Sequence, residues 1–198
     1  MIKNVIFDVG KVLVDYYPDI YMESLGLSEE ERKAVNEAMF GNPLWAMADA
    51  GAYPAEEFLP RFIAQKPEYE EQIKNAYEHL GAIIQLYPYV IEWMEDLRSR
   101  GLHLFVLSNY PEFLYEKTKP RMAFLPYLDG AIFSAFEKDV KPHESIYRLL
   151  LDRYGLAAAE CVFIDDREEN VQGANKAGIH GILFEGYESA NRQLLELL

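Results

Sequence analysis

The sequence predicts an α/β protein: a parallel β-sheet covered by helices on both faces, interrupted once by an all-helical block. Three observations carry the prediction. Short apolar runs of strand length recur at 2–7, 102–107, 131–133, 161–164 and 180–184. Amphipathic stretches with apolar residues at helical spacing separate the later runs. From about Pro18 to about Leu86 the pattern is helical throughout. Strands that alternate with helices pair in parallel, and a parallel sheet needs cover on both faces. The expected architecture is therefore Rossmann-like. Residues 1–15 and 87–198 would form its core, with residues 16–86 as a helical insertion.

Each element has a local reason. Val5, Ile6 and Phe7 form a continuous apolar run, as a central strand requires. Ser28 with Glu31 is a capping box, opening a helix expected to end near Gly41. Another helix starts at Pro54-Ala55-Glu56-Glu57-Phe58, and 68–80 carries Ile73, Ala76, Tyr77 and Leu80 on one face. Val90, Ile91, Met94 and Leu97 mark a helix stopped by Gly101. Pro142 stands near the first turn of a helix reaching Tyr154, where its missing N–H costs nothing. A last internal helix contains 170–177, before the strand at 180–184.

Composition narrows the function. With 198 residues, half of them apolar, the chain has the make-up of an ordinary globular protein. A formal net charge of −14 repels nucleic acid and anionic membrane surfaces, so neither is an expected partner. Small anions are a different case, because salt screens remote charges over roughly 8–10 Å and local cations then decide. Cys161 is the only cysteine, which excludes an intrachain disulfide and fits a reducing cytoplasm. No signal-peptide pattern opens the sequence and no apolar run is long enough to cross a bilayer.

Four short segments carry chemistry, and each follows an expected strand. In open α/β sheets the ligand crevice lies at the carboxyl ends of the strands, so the four are expected to converge. Phe7-Asp8-Val9-Gly10-Lys11 ends its strand on a carboxylate, a group that can attack phosphorus, although turn and cap aspartates are common there too. Ser108-Asn109 offers a hydroxyl and an amide to a phosphoryl oxygen. Lys141-Pro142 places an ammonium before a helix. Asp165-Asp166 sets two acids side by side, and two like charges 4 Å apart repel by about 4 kcal/mol at an effective dielectric near 20. With Asp8 added, the cluster needs a cation. Hard carboxylate donors without histidine or cysteine favour Mg²⁺ over zinc. Trp45, Met47 and Lys11 are candidates to line the crevice.

The order and strand-end placement of these segments resemble the four motifs of the haloacid dehalogenase superfamily, over essentially the whole chain. The helical block resembles that superfamily's C1-type cap. The resemblance implies a phosphatase acting on a small phosphate ester, with Asp8 as nucleophile and Mg²⁺ held by Asp8, the Gly10 carbonyl and Asp166. It further implies support of the metal by Asp165 through water, phosphoryl binding by Ser108 and Asn109, and positive charge from Lys141. One departure stands out. Most phosphatases of the superfamily carry a proton-donating aspartate two residues after the nucleophile, where this chain has Gly10. The Asp-x-Gly pattern is similar to a subgroup that includes glucose-1-phosphate phosphatases, whose anomeric leaving group needs less protonation. Either the substrate needs no acid, which the sequence favours, or another residue supplies the proton, such as Asp15 or a side chain of the insertion. The competing readings are a non-catalytic binding protein, supported by Gly10, and a metal-independent dehalogenase. The Asp165-Asp166 pair would be an unneutralised liability in the latter.

Overall fold

The computed structural model describes residues 1–198. Its strands are β1 (Asn4–Phe7), β2 (Val14–Tyr16), β3 (Ile84–Leu86), β4 (His103–Ser108), β5 (Gly130–Phe133), β6 (Cys161–Asp165) and β7 (His180–Leu183). Every residue of β1 is buried, which requires a partner on each edge and a layer on each face. β1 accordingly sits at the centre of a five-stranded parallel sheet ordered β5-β4-β1-β6-β7.

Side chains alternate across this sheet and feed two cores. One face sends Ile6, Phe105, Leu107 and Phe163 against Tyr147 and Leu150 of α9 (Glu144–Tyr154) and Ala174 of α10 (Glu168–Lys176). The other sends Val5, Phe7, Leu104, Val106 and Ile164 toward Trp93 and Leu97 of α6 (Val90–Ser99) and Leu194 of α11 (Tyr187–Leu197). Two shorter core helices, α7 (Glu112–Thr118) and α8 (Ser134–Glu137), follow β4 and β5. The expected α/β class is the one observed.

The block after β2 consists of α1 (Pro18–Ser24), α2 (Glu29–Ala38), α3 (Pro43–Asp49), α4 (Phe58–Gln65) and α5 (Glu70–Glu78). The Ser28 capping box forms as expected: the Ser28 hydroxyl accepts from the Glu31 N–H, and the Glu31 carboxylate accepts from the Ser28 N–H. At its borders, however, the block is not helical. β2 and β3 pair antiparallel, Val14 opposite Leu86 and Tyr16 opposite Ile84, and form a two-stranded ribbon at the base. Three residues are too few to show a period of two, and their pairing spans some 70 positions of chain, so no local pattern reveals this ribbon.

Block and sheet share one apolar core. Phe113 of α7 packs edge-on to Trp45 at 5.6 Å between ring centroids, and against Phe58, Phe62 and Tyr77. Behind α3 the two parts meet backbone to backbone. Gly51 has φ +59°, and a Cβ there would lie 2.2 Å from the Ala135 carbonyl oxygen. Only glycine fits both constraints. Gly51→Ala is therefore expected to cost about 2 kcal/mol, on the order of 5 °C in melting temperature. A variant that melts with the wild type would show that the contact yields freely.

Candidate active site

The site follows from the register. β1 pairs with β4 and β6 such that Phe7 lies opposite Val106 and Ile164. Parallel strands end on the same edge, so Asp8, Ser108 and Asp165 emerge together there. The Asp8 N–H still bonds the Ile164 carbonyl at 2.9 Å, which fixes the backbone at the point where the side chain leaves the sheet.

Lys141 joins them. It precedes α9, lies 4% exposed, and its Nζ donates to Asp8 Oδ1 at 2.8 Å and to Asp165 Oδ2 at 2.6 Å. Asn109 holds the lysine in place by its backbone: the amide Oδ1 accepts from the Lys141 N–H at 2.8 Å, and Nδ2 donates to the Lys141 carbonyl at 3.0 Å. Asp165 is fully buried and accepts from the Asn170 amide at 3.0 Å and the Arg167 N–H at 2.8 Å besides the lysine. It serves as the counter-ion that fixes Lys141. Ser108 is buried beside Asp8, and its hydroxyl opposes the rise of the Asp8 pKa described below.

Asp8, Asp165 and Asp166 offer carboxylate oxygens that all lie within 4.8 Å of one another. Lys141, with Lys11 acting on Asp166, does not neutralise three acids, and the protonation equilibria record the excess. Burial pushes Asp8 up to about 6 against the pull of Lys141, and the charge of Asp165 adds to the rise. Burial and Asp165 likewise raise Asp166. Burial opposes the charge of Lys141, but Asp8 and Asp165 together outweigh it and hold the ammonium above the usual lysine range. A compact cluster of hard oxygen donors with excess negative charge fits a small divalent cation such as Mg²⁺.

The cluster opens into a cavity of about 340 Å³. The core lines it with Asp8, Gly10, Lys11, Ser108, Asn109, Lys141 and Asp166, and the helical block with Asn36, Phe40, Trp45 and Asp49. Trp45 and Lys11 thus stand where the sequence places them. Met47 does not: it points outward, 38% exposed, to one side of the face that α3 buries with Ala48. Asp15 is also displaced from the chemistry. It sits in β2, where its carboxylate accepts the Gln85 N–H at 2.8 Å to tie the ribbon. The residue with positive φ beside the nucleophile is Lys11, at +59°, while at Gly10 a Cβ would meet no atom within 4 Å. Gly10 is therefore not demanded by the backbone, and its missing side chain is a chemical feature of the site.

Sequence reasoning missed Asp49, Phe40, Asn36 and the part played by Asn170. The first three come from the helical block, where nothing local distinguishes a cavity residue from a surface one. Asn170 had a signal, since it follows Asp165 by five residues and opens the next helix.

The chain belongs to the haloacid dehalogenase-like hydrolase family, whose model matches residues 2–178. Among curated relatives, a phosphoglycolate phosphatase of Xanthomonas campestris is 24% identical over 91% of this chain and 81% of its own. A phosphorylated carbohydrates phosphatase of Thermotoga maritima is 25% identical over 91% and 83%. Among solved structures, a family enzyme of Bacteroides thetaiotaomicron in complex with magnesium and inorganic phosphate superposes with a TM-score of 0.78. It is 19% identical, with 96% of this chain and 98% of that one covered.

Proposed function

We propose that the protein is a Mg²⁺-dependent phosphatase of small phosphorylated metabolites, working through Asp8 as nucleophile. The observation that carries this reading is the Asp8–Lys141–Asp165 triad, with Asp166 beside it, opening into a cavity lined by both the core and the helical block. A binding module has no need of a buried carboxylate aimed at its ligand, and a metal-independent dehalogenase has no need of three clustered acids. The named relatives act on phosphate esters, which supports the same choice.

In this reading Asp8 attacks phosphorus and forms an aspartyl phosphate. Ser108 donates to a phosphoryl oxygen, and Lys141 neutralises both the nucleophile's approach and the transferred group. Asn109 acts by holding the lysine as well as by lining the cavity. Asp8, Asp166 and the Gly10 carbonyl would hold Mg²⁺, with Asp165 supporting the site from behind. The bound cation would supply positive charge to the phosphoryl oxygens and align the phosphorus with Asp8. Residues 16–86 act as a C1-type cap over the core of residues 1–15 and 87–198. A cavity of about 340 Å³ suits a small metabolite, with Trp45 and Phe40 as its apolar wall. The Asp-x-Gly pattern favours a sugar 1-phosphate, as in the glucose-1-phosphate phosphatases. A cytoplasmic setting accords with Cys161, buried and unpaired, and no helix is long and apolar enough to cross a membrane. The net charge of −14 disfavours nucleic acid as a partner.

The test is turnover of an aryl phosphate, followed by a screen of sugar, nucleotide and acyl phosphates. Activity is expected to vanish in chelator, return with Mg²⁺ and be inhibited by Ca²⁺, whose larger and looser coordination shell misplaces the nucleophile. Full activity in chelator would refute the metal assignment, and no turnover on any phosphate would refute the phosphatase.

A further inference from the structure

Gly10 leaves the core side of the site without a proton donor, and the cavity wall opposite provides one. Three carboxylates line the cavity: Asp8, Asp166 and Asp49. Asp8 and Asp166 belong to the acidic cluster. Asp49 alone comes from the helical block, as the last residue of α3. We infer that Asp49 is the general acid of the reaction, protonating the leaving-group oxygen from the side facing Asp8. The inference rests on the phosphatase reading above and deepens it.

Asp49 is positioned by its backbone and left free at its side chain. The Ser134 hydroxyl donates to the Asp49 carbonyl at 2.5 Å and accepts the Tyr110 N–H at 2.9 Å, next to the Ser108-Asn109 segment. Two residues further on, Gly51 rests against the Ala135 carbonyl, so the chain on either side of α3's end is pinned to the core. The Asp49 carboxyl itself makes no hydrogen bond or ion pair with the protein. Asp49 is half-buried, and an acid partly withdrawn from water with no protein partner carries a desolvation cost that a functional role would explain.

Its surroundings suit proton transfer. Burial pushes Asp49 up to about 7, Lys141 and Arg167 pull against this, and Asp8 adds to it. A carboxyl in that range is partly protonated at neutral pH and can both give and take a proton. Asp49 is the one lining carboxyl outside the acidic cluster. No histidine lines the cavity, the Tyr16 hydroxyl is held far above neutrality by burial and by Asp49, and Asp15 is engaged in the ribbon.

The chemistry balances. Asp8 forms a bond to phosphorus as the bond from phosphorus to the leaving oxygen breaks. The electron pair stays on that oxygen, which takes the Asp49 proton and departs as the alcohol. Water then attacks the aspartyl phosphate, loses a proton to the Asp49 carboxylate, and the Asp8–phosphorus bond breaks to release phosphate. Both starting groups are restored.

With Asp49 as acid, the enzyme is not confined to good leaving groups, and wild-type kcat/KM should depend only weakly on leaving-group pKa. The experiment compares wild type, Asp49→Asn and Asp49→Glu on p-nitrophenyl phosphate and on a simple alkyl phosphate with Mg²⁺ present. It reads kcat/KM, which covers only the steps through loss of the leaving group. Asp49→Asn is nearly isosteric and, since burial disfavours the charged carboxylate, is expected to melt no lower than the wild type. Its kcat/KM should fall roughly 10²–10⁴-fold on the alkyl ester and less than about tenfold on the aryl ester. Asp49→Glu, which keeps an acid, should recover part of the alkyl activity. Equal losses on both esters, or no loss on either, would overturn the assignment. So would a wild type active on the aryl ester alone. A wild type inactive on both would instead sink the phosphatase reading, and this inference with it.

Discussion

Asp8→Asn is expected to abolish phosphatase turnover, with a loss of roughly 10³-fold or more, while the fold stays intact. The amide has nearly the volume of the carboxylate, so β1 and the core behind it are undisturbed. It cannot form the phosphoenzyme. Stability should move the other way from activity. The Asp8 pKa is raised by burial from 3.8 to about 6. A group with a raised folded-state pKa binds more protons folded than unfolded between those values, so stability falls as pH rises through that window. Two pKa units correspond to on the order of 3 kcal/mol at most. In metal-free protein at pH 8, Asp8→Asn should therefore melt no lower than wild type, and near pH 4 the two should converge. Turnover above a few per cent of wild type would remove Asp8 as nucleophile. A lower melting temperature at pH 8 would show that Asp8 is a net stabiliser, contrary to its burial among like charges.

Lys141→Met is expected to lose both activity and stability. The ammonium is buried, 2.8 Å from Asp8 and 2.6 Å from Asp165. Its removal leaves Asp165 with only the Asn170 amide and the Arg167 N–H to offset its charge. Breaking a buried pair in this way costs about 3–5 kcal/mol, because a charge remains without its partner. Turnover should fall by roughly 10²–10³-fold, as the transferred group loses a preorganised cation. Combining Lys141→Met with Asp165→Asn separates the two effects, since the amide needs no counter-ion. The double variant should regain most of the stability and none of the activity, as denaturant unfolding and aryl phosphate turnover would show. If Lys141→Met unfolds at the wild-type midpoint, the acids are protonated in the native state and the ion-paired picture of the site fails.

The sheet was legible because its strands are continuous apolar runs, a pattern that burial on both faces imposes locally. The strand-end motifs were legible for the same reason: once a strand is placed, its carboxyl end is placed too. Asp8, Ser108, Asp165 and Asp166 could therefore be placed at one sheet edge from the chain alone, whereas Lys141 lies beyond α8 and was singled out by the resemblance to the superfamily's motifs. Asp49 could not. It sits in a short helix among ordinary residues, Pro43-Leu44-Trp45-Ala46-Met47-Ala48, and only the packing of α3 over the sheet edge brings it to the cavity.

Local rules therefore account for class, strand order along the chain and the acidic core of the site. Tertiary structure decided what depends on distant partners. It paired β2 with β3 across the helical block, gave Asn109 to the backbone of Lys141, turned Met47 outward and bound Asp15 into the ribbon. It also raised the acid at position 49 by burying it opposite Asp8. Hydrophobic periodicity and turn chemistry act over a few residues and leave their mark in sequence. Burial and charge act through space, and they acquire their values only when the chain has closed on itself.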